Sequence, residues 1–462
     1  MKKTLLFLIA VVQLTFAYSQ EINYQKTFKE AKNLAAKEHK PIFVLINAPE
    51  NPSHHLANYT SGISSPQVVE LYNKKFISYK TTIDDSSAKA IGPIINSNFY
   101  PEYIFLDSKA QPIYKTTGNT VQIQKYLDMA QETLRRLASG KTLSYYEELD
   151  KSEKITYDQL KDYITLKESL DLFDNAALID KYINFLTIKD LNDYDQILFI
   201  LKAGPYAYGK TYNLIFTNKK IVDSIYKREP IEVRRAINNH IIANSRNEAR
   251  KTKNAALAQN TAAYIRGTWS KNYAEGLRNS NKEMIAYYYA VKDTANYYRQ
   301  AYYFYDGYLN ISADSAKKLE KLTLERIKES LNDKVKREKS SGKSSQFDSI
   351  KQRPIIITSS TVATNSVANE LNTAAWDFYL LGTHNINYLF KALLWCRRSI
   401  ELQPVFNSYD TMAHVMYRLN FYDEATLNQQ KAIDMAMATP NVAQKEIENL
   451  KTELSKIKER KL

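Results

Sequence analysis

The chain places "NAPENPSHH" (47–55) directly after the apolar run "KPIFVLI" (40–46). Asn51, Pro52, Ser53 and His54 then stand where a strand ends and a helix opens. Asn is a strong N-cap residue, and Pro fits the first helical position, where its missing N–H costs nothing. Such a helix start offers free backbone N–H groups and the positive end of a dipole, which together lower the pKa of a thiol placed there. No thiol is placed there. The chain has 1 cysteine, Cys396, so an intrachain disulfide and dithiol–disulfide exchange are both excluded.

His54 and His55 are the other groups at this turn with chemical potential. Neighbouring residues on a helix point about 100° apart, so two adjacent histidines rarely share an ion, even with Asp84 and Asp85 nearby in sequence. No H-x-x-x-H spacing is present, and spacing identifies no nucleophile or acid partner for His54 as a general base. Surface histidines are the reading adopted, with no metal and no cofactor assigned. "SGKSS" (341–345) is no phosphate loop, because Arg337 occupies the position of the required upstream glycine. The tyrosine-rich stretch "MIAYYYAVKDTANYYRQAYYFYDGYL" (284–309) holds only Lys292 and Arg299 as cations, too few for a single-strand nucleic-acid binder. Packing between helices is its expected role.

The elements that must position the turn read as alternating helix and strand over residues 21 to about 137. "YQKTFKEAKNLAAKEHK" (24–40) puts Phe28, Ala31, Leu34 and Ala35 on one helical face. "PIFVLI" (41–46) is strand, "SPQVVELYNKKF" (65–76) helix and "ISYKTTID" (77–84) strand. "YIFLD" (103–107) and "PIYKTTG" (112–118) form a strand pair, and "TVQIQKYLDMAQETLRRL" (120–137) a closing helix. This implies one sheet with helices on both faces.

The order of elements, with "KPIFV" before the turn and "SNFYPEYIFLD" (97–107) further on, resembles the thioredoxin fold over about a quarter of the chain. The resemblance implies that Pro101 is cis and that Asn51 and His54 replace the two cysteines of a C-x-x-C motif. It also places the family's buried acid on Leu45. What it leaves is peptide binding, in which Tyr100, beside Phe99 and before Pro101, offers backbone hydrogen bonds to an extended polypeptide. The implied binding set is Asn51, Pro52, Ser53, His54, Phe99, Tyr100 and Pro101.

Beyond the sheet the chain reads as all-α. Segments such as "TYDQLKDYITLKESL" (156–170) and "IEVRRAINNHIIAN" (231–244) carry apolar residues at helical spacing. Toward the C-terminus, Trp376, Tyr379, Ala392 and Ser399 recur 33 positions later as Tyr409, Met412, Ala425 and Ala432. Large–large and small–small pairs one repeat apart suit stacked helix hairpins. "YDTMAHVMYRLNFYDEATLNQQKAI" (409–433) resembles a tetratricopeptide repeat, with Asn420 in the usual glycine place. Cys396 falls on a second helix as a buried small residue.

The N-terminus, "MKKTLLFLIAVVQLTFAYSQ", has Lys2 and Lys3 before an apolar core, then Ala17 and Ser19 at the −3 and −1 positions for cleavage before Gln20. An exported protein, periplasmic or secreted, is expected, with no membrane span. Removing residues 1–19 takes away two lysines and no acid, and lowers the net charge from +14 to +12. Residues 210–255 hold eleven Lys/Arg against four Asp/Glu, a solvated face or a docking surface for an anionic envelope. Export argues against nucleic acid as a partner.

The expected organisation is a signal peptide (1–19), a thioredoxin-like α/β domain (20–140), an α-helical repeat-like region (141–333), a flexible linker (334–370) and tetratricopeptide-like repeats (371–462). The expected function is that of a polypeptide-binding adaptor or chaperone-like factor at the cell envelope. Two alternatives stand beside it: a non-thiol or metal-dependent enzyme built on His54, and a purely structural scaffold.

Overall fold

The computed structural model describes residues 21–47, 61–83, 85, 91, 100–269, 271–318, 321, 325 and 366–462. The expected signal peptide, the turn at Asn51–His54, Phe99 and most of the expected linker lie outside the described residues. Two compact units are present, dividing between Asn244 and Ser245 inside one long helix.

The first unit opens on a five-stranded mixed sheet of order β1-β3-β2-β4-β5. Its strands are β1 (Tyr24–Gln25), β2 (Ile42–Asn47), β3 (Ile77–Thr82), β4 (Glu102–Leu106) and β5 (Pro112–Thr117). β1 and β2 run parallel to β3, while β4 is antiparallel to both β2 and β5. Tyr24 and Gln25, read from sequence as the start of a helix, pair instead with Ser78 and Tyr79. The helix α1 (Phe28–Glu38) begins only after Thr27, whose hydroxyl accepts from Glu30 N at 3.1 Å.

Period-two alternation distributes the strands between two cores. Ile42, Val44, Ile46, Ile104 and Leu106 pack with Phe28, Ala31 and Ala35 of α1. Phe43, Leu45, Tyr103 and Phe105 pack on the other face with α2 (Pro66–Lys75) and α3 (Ile123–Ala138), through Val68, Val69, Tyr72, Tyr126 and Met129. The unbroken apolar run of β2 follows from this position, since a central strand is covered on both faces.

Short helices continue the unit: α4 (Leu143–Lys151), α5 (Tyr157–Ser169), α6 (Ala176–Tyr182), α7 (Tyr194–Ala203), α8 (Lys210–Thr217) and α9 (Lys219–Arg228). α10 (Ile231–Thr252) carries the division between the units.

The second unit is a succession of helices: α11 (Ala255–Thr268), α12 (Tyr273–Ala290), α13 (Thr294–Asp306), α14 (Ser366–Leu380), α15 (Ile386–Leu402), α16 (Phe406–Arg418), α17 (Tyr422–Ala438) and α18 (Gln444–Lys458). α14 starts inside the stretch expected to be linker. Much of the tyrosine stripe is core: Tyr287, Tyr288, Tyr297, Tyr298 and Tyr308 pack with Phe378 and Trp395, while Tyr289 and Tyr303 are exposed. α12 and α13 break at Lys292, which has a positive φ of 61°. Ala392, Ala425 and Ala432 are fully buried where helices meet, and Asn420 turns α16 into α17 at φ 66°. Among the described residues no helix is long and apolar enough to cross a membrane.

Candidate functional site

The end of the sheet where β2 closes is built from β4 and the turns beside it. Ile46 of β2 pairs with Glu102, the first residue of β4. Tyr100 and Pro101 lead into that strand through a cis peptide bond, as the resemblance implies. Pro101 O accepts from Gly118 N at 2.9 Å, which ties the strand entry to the end of β5. Tyr100 is partly buried against the α1-side core, and desolvation, followed by the nearby Glu102, raises its hydroxyl pKa. Of the seven residues expected to bind, Tyr100 and Pro101 are thus placed together. Asn51, Pro52, Ser53, His54 and Phe99 lie outside the described residues.

A polar clasp invisible in the sequence sits on the α3 side of this end. The Tyr126 hydroxyl accepts from Thr120 N at 3.0 Å and donates to Asn119 Oδ1 at 2.6 Å. Ser61 Oγ donates to the same Asn119 oxygen at 2.6 Å, and Gly62 N donates to Thr120 O at 2.9 Å. A Cβ on Gly62 would lie 2.8 Å from Val121 O, so the approach requires glycine. Ser61 gives its proton to an amide oxygen, which is no general base, so the arrangement holds the chain in place rather than activating a nucleophile.

On the opposite face of the sheet the side chain of Glu102 is fully buried. Lys115 Nζ of β5 lies 3.8 Å from Glu102 Oε1 and 3.0 Å from Asp171 Oδ2, beyond the end of α5. Leu45, where the resemblance places a buried acid, is an apolar core residue opposite Tyr103. The buried carboxylate therefore belongs to the neighbouring strand and the other face. The signal for it was a Glu and a Lys inside runs otherwise rich in Tyr, Ile and Phe.

At the β5 edge of the sheet, side chains of α3 engage strand carbonyls. Arg136 Nη1 donates to Ile113 O at 3.0 Å, and Lys125 Nζ donates to Thr117 O at 2.8 Å and Gly118 O at 2.7 Å. The other edge, β1, is 2 residues long.

In the second unit, His414 of α16 is buried between Trp376 and Tyr379 of α14, at ring-centroid distances of 5.1 and 5.0 Å. Its Nδ1 lies 2.8 Å from Asp410 O, and its Nε2 3.6 Å from Glu453 of α18. Burial raises the Asp410 carboxyl, while His414 and a hydrogen bond from Gln429 oppose that rise. Arg418 lies over the Tyr379 ring and donates to the Tyr379 carbonyl. This polar knot joins helices of successive hairpins. Outside it, Ile386, Phe390 and Leu394 form an exposed apolar stripe along α15, with Phe421 6.5 Å from Phe390.

The basic run 210–255 is divided between the two units, with Lys210 to Arg235 in the first and Arg246 to Lys253 in the second. Among the described residues no three His, Cys, Asp or Glu side chains assemble as metal ligands. No protein-family model matches the chain, and no curated protein is significantly similar to it.

Proposed function

We propose that the protein is an exported polypeptide-binding adaptor of the cell envelope, in which a thioredoxin-like module without redox chemistry is joined to tetratricopeptide-like helix hairpins. The supporting observation is the position of Tyr100. It stands partly exposed at the entry to the internal strand β4, while β5, the longer edge, has carbonyls engaged by Arg136 and Lys125. A bound chain would lie across the sheet end at Tyr100 and Pro101, where the residues from Asn51 to His54 and Phe99 are close in sequence to the described strand ends. The apolar stripe of α15 is the second surface available to a partner, and the resemblance to a repeat family supports a protein ligand there.

The test is a pull-down from envelope extract with the full-length mature protein. It compares wild type with Tyr100→Ala and with the double variant Ile386→Ser/Phe390→Ser. Partners lost with Tyr100→Ala support the sheet-end groove, and partners lost with the stripe variant alone assign binding to the hairpins. Partner sets identical in all three proteins would overturn the reading.

A further inference from the structure

Two sequence-distant stretches of the first unit, 184–192 and 208–220, form one exposed surface. Lys210 Nζ donates to Asn184 Oδ1, and the Thr211 hydroxyl donates to Asp180. The Asn218 amide donates to Leu191 O at 3.0 Å and to Asn192 Oδ1 at 2.8 Å. Large apolar side chains project from this surface: Phe185 is 51%, Ile188 81% and Tyr208 58% exposed. Lys189, Lys210, Lys219 and Lys220 lie on the same two stretches, all exposed. The nearest carboxylates are engaged locally. Asp180 accepts from Thr211, and Asp190 accepts from Thr187 N and Oγ1, both at 2.7 Å. The exposed acids beside these stretches are Asp193, which accepts from Gln196 N at 2.8 Å, Asp195 and Asp223.

We propose that this surface docks the protein on an anionic lipid bilayer, with Phe185 and Ile188 entering the interface and the four lysines at the headgroups. Both halves of the surface favour that occupant. Cations flanking protruding apolar side chains match the charged headgroup layer above an apolar interior. A soluble polyanion would engage the lysines and leave Ile188, the most exposed large apolar side chain among the described residues, in water. The inference stands independently of polypeptide binding at Tyr100, because it uses a different part of the unit.

Flotation of the full-length mature protein with vesicles tests it, comparing phosphatidylcholine alone with phosphatidylcholine containing phosphatidylglycerol. Wild type is expected to float with the anionic vesicles and to stay free of the neutral ones. Each lysine removed should weaken binding about fivefold, so Lys219→Gln/Lys220→Gln should lose about 25-fold. Phe185→Ser/Ile188→Ser should lose at least about tenfold through the apolar contribution. All four positions are exposed, and an unchanged circular dichroism spectrum and melting temperature would show that the variants fold. Equal binding to both vesicle types, or to neither, overturns the proposal. So does an apolar double variant that floats as wild type while polyphosphate competes, since that result makes the patch a soluble-polyanion site. An oligomer that the same variant dissolves without vesicles would make the patch a self-interface, with the same consequence.

Discussion

Glu168, near the end of α5, has Oε1 buried without a hydrogen-bond partner among the described residues. Burial pushes its carboxyl up to about 7, with the charge of Lys202 opposing. Folded chains then hold this proton over a pH range in which unfolded chains release it. Stability contributed by the neutral form is complete below the unfolded carboxyl pKa, about 4.3, and is lost as pH rises toward 7. Glu168→Gln removes the ionisation. It should leave the melting temperature unchanged at acid pH and raise it by about 2–4 °C at alkaline pH. A melting profile that keeps the same pH dependence would show that the carboxylate is hydrated in the folded protein. The chain's one thiol has the same physics with the opposite consequence for reactivity. Cys396 is fully buried in the α14–α15 core, and desolvation holds its thiol well above the usual range. Maleimide should label it on the order of a hundredfold more slowly in native buffer than in the guanidinium-unfolded chain. The sequence placed Cys396 on an apolar helix face. It held no sign that Glu168 is sheltered, because that depends on neighbouring elements.

Elements in this protein end where side chains from distant positions meet them. α7 stops at Gly204 with φ 80°, and a Cβ there would lie 2.6 Å from His240 Cβ and 2.9 Å from Asn244 Nδ2 of α10. The Asn244 amide donates to Gly204 O, and the His240 ring stacks on Phe173 at 3.8 Å. Gly204→Ala combines left-handed backbone strain with overpacking and should cost about 3 kcal/mol or more. Gly140→Ala supplies the control: φ is 69° but nothing lies within 4 Å, so only the backbone cost of about 1–2 kcal/mol is expected. Urea midpoints of the two variants measure the difference, and equal losses would show that the close approach to α10 is not energetically important. At this scale much was legible. β2, β3, β4, β5 and the helices between them follow from hydrophobic period, and α1 buries Phe28, Ala31 and Ala35 as its spacing predicts. The two-residue β1 was not legible, because so short a strand has no period and exists through its pairing with β3.

For the whole molecule, the order of a sheet followed by helices was readable end to end, as was the succession of hairpins after residue 366. The tyrosines of α12 and α13 read as core rather than as a stacking surface, and Tyr287, Tyr288, Tyr297 and Tyr298 are packed that way, whereas Tyr289 and Tyr303 are exposed. The count of one cysteine excluded dithiol exchange before any coordinate was considered. Such conclusions depend on composition and on local periodicity, which report how each segment divides its faces between core and water. The remaining features were decided by tertiary structure. Glu102 meets Lys115 across the β4–β5 pair, and Lys115 meets Asp171 from a helix end far along the chain. Tyr126, Asn119 and Ser61 share hydrogen bonds across 58 positions of sequence. Phe185 and Ile188 join the lysines of α8 and α9 because Asn184 and Leu191 are held against Lys210 and Asn218. Pairings of this kind depend on which elements become neighbours. A local pattern marks which face of an element is buried, and only the packed fold decides what that face meets.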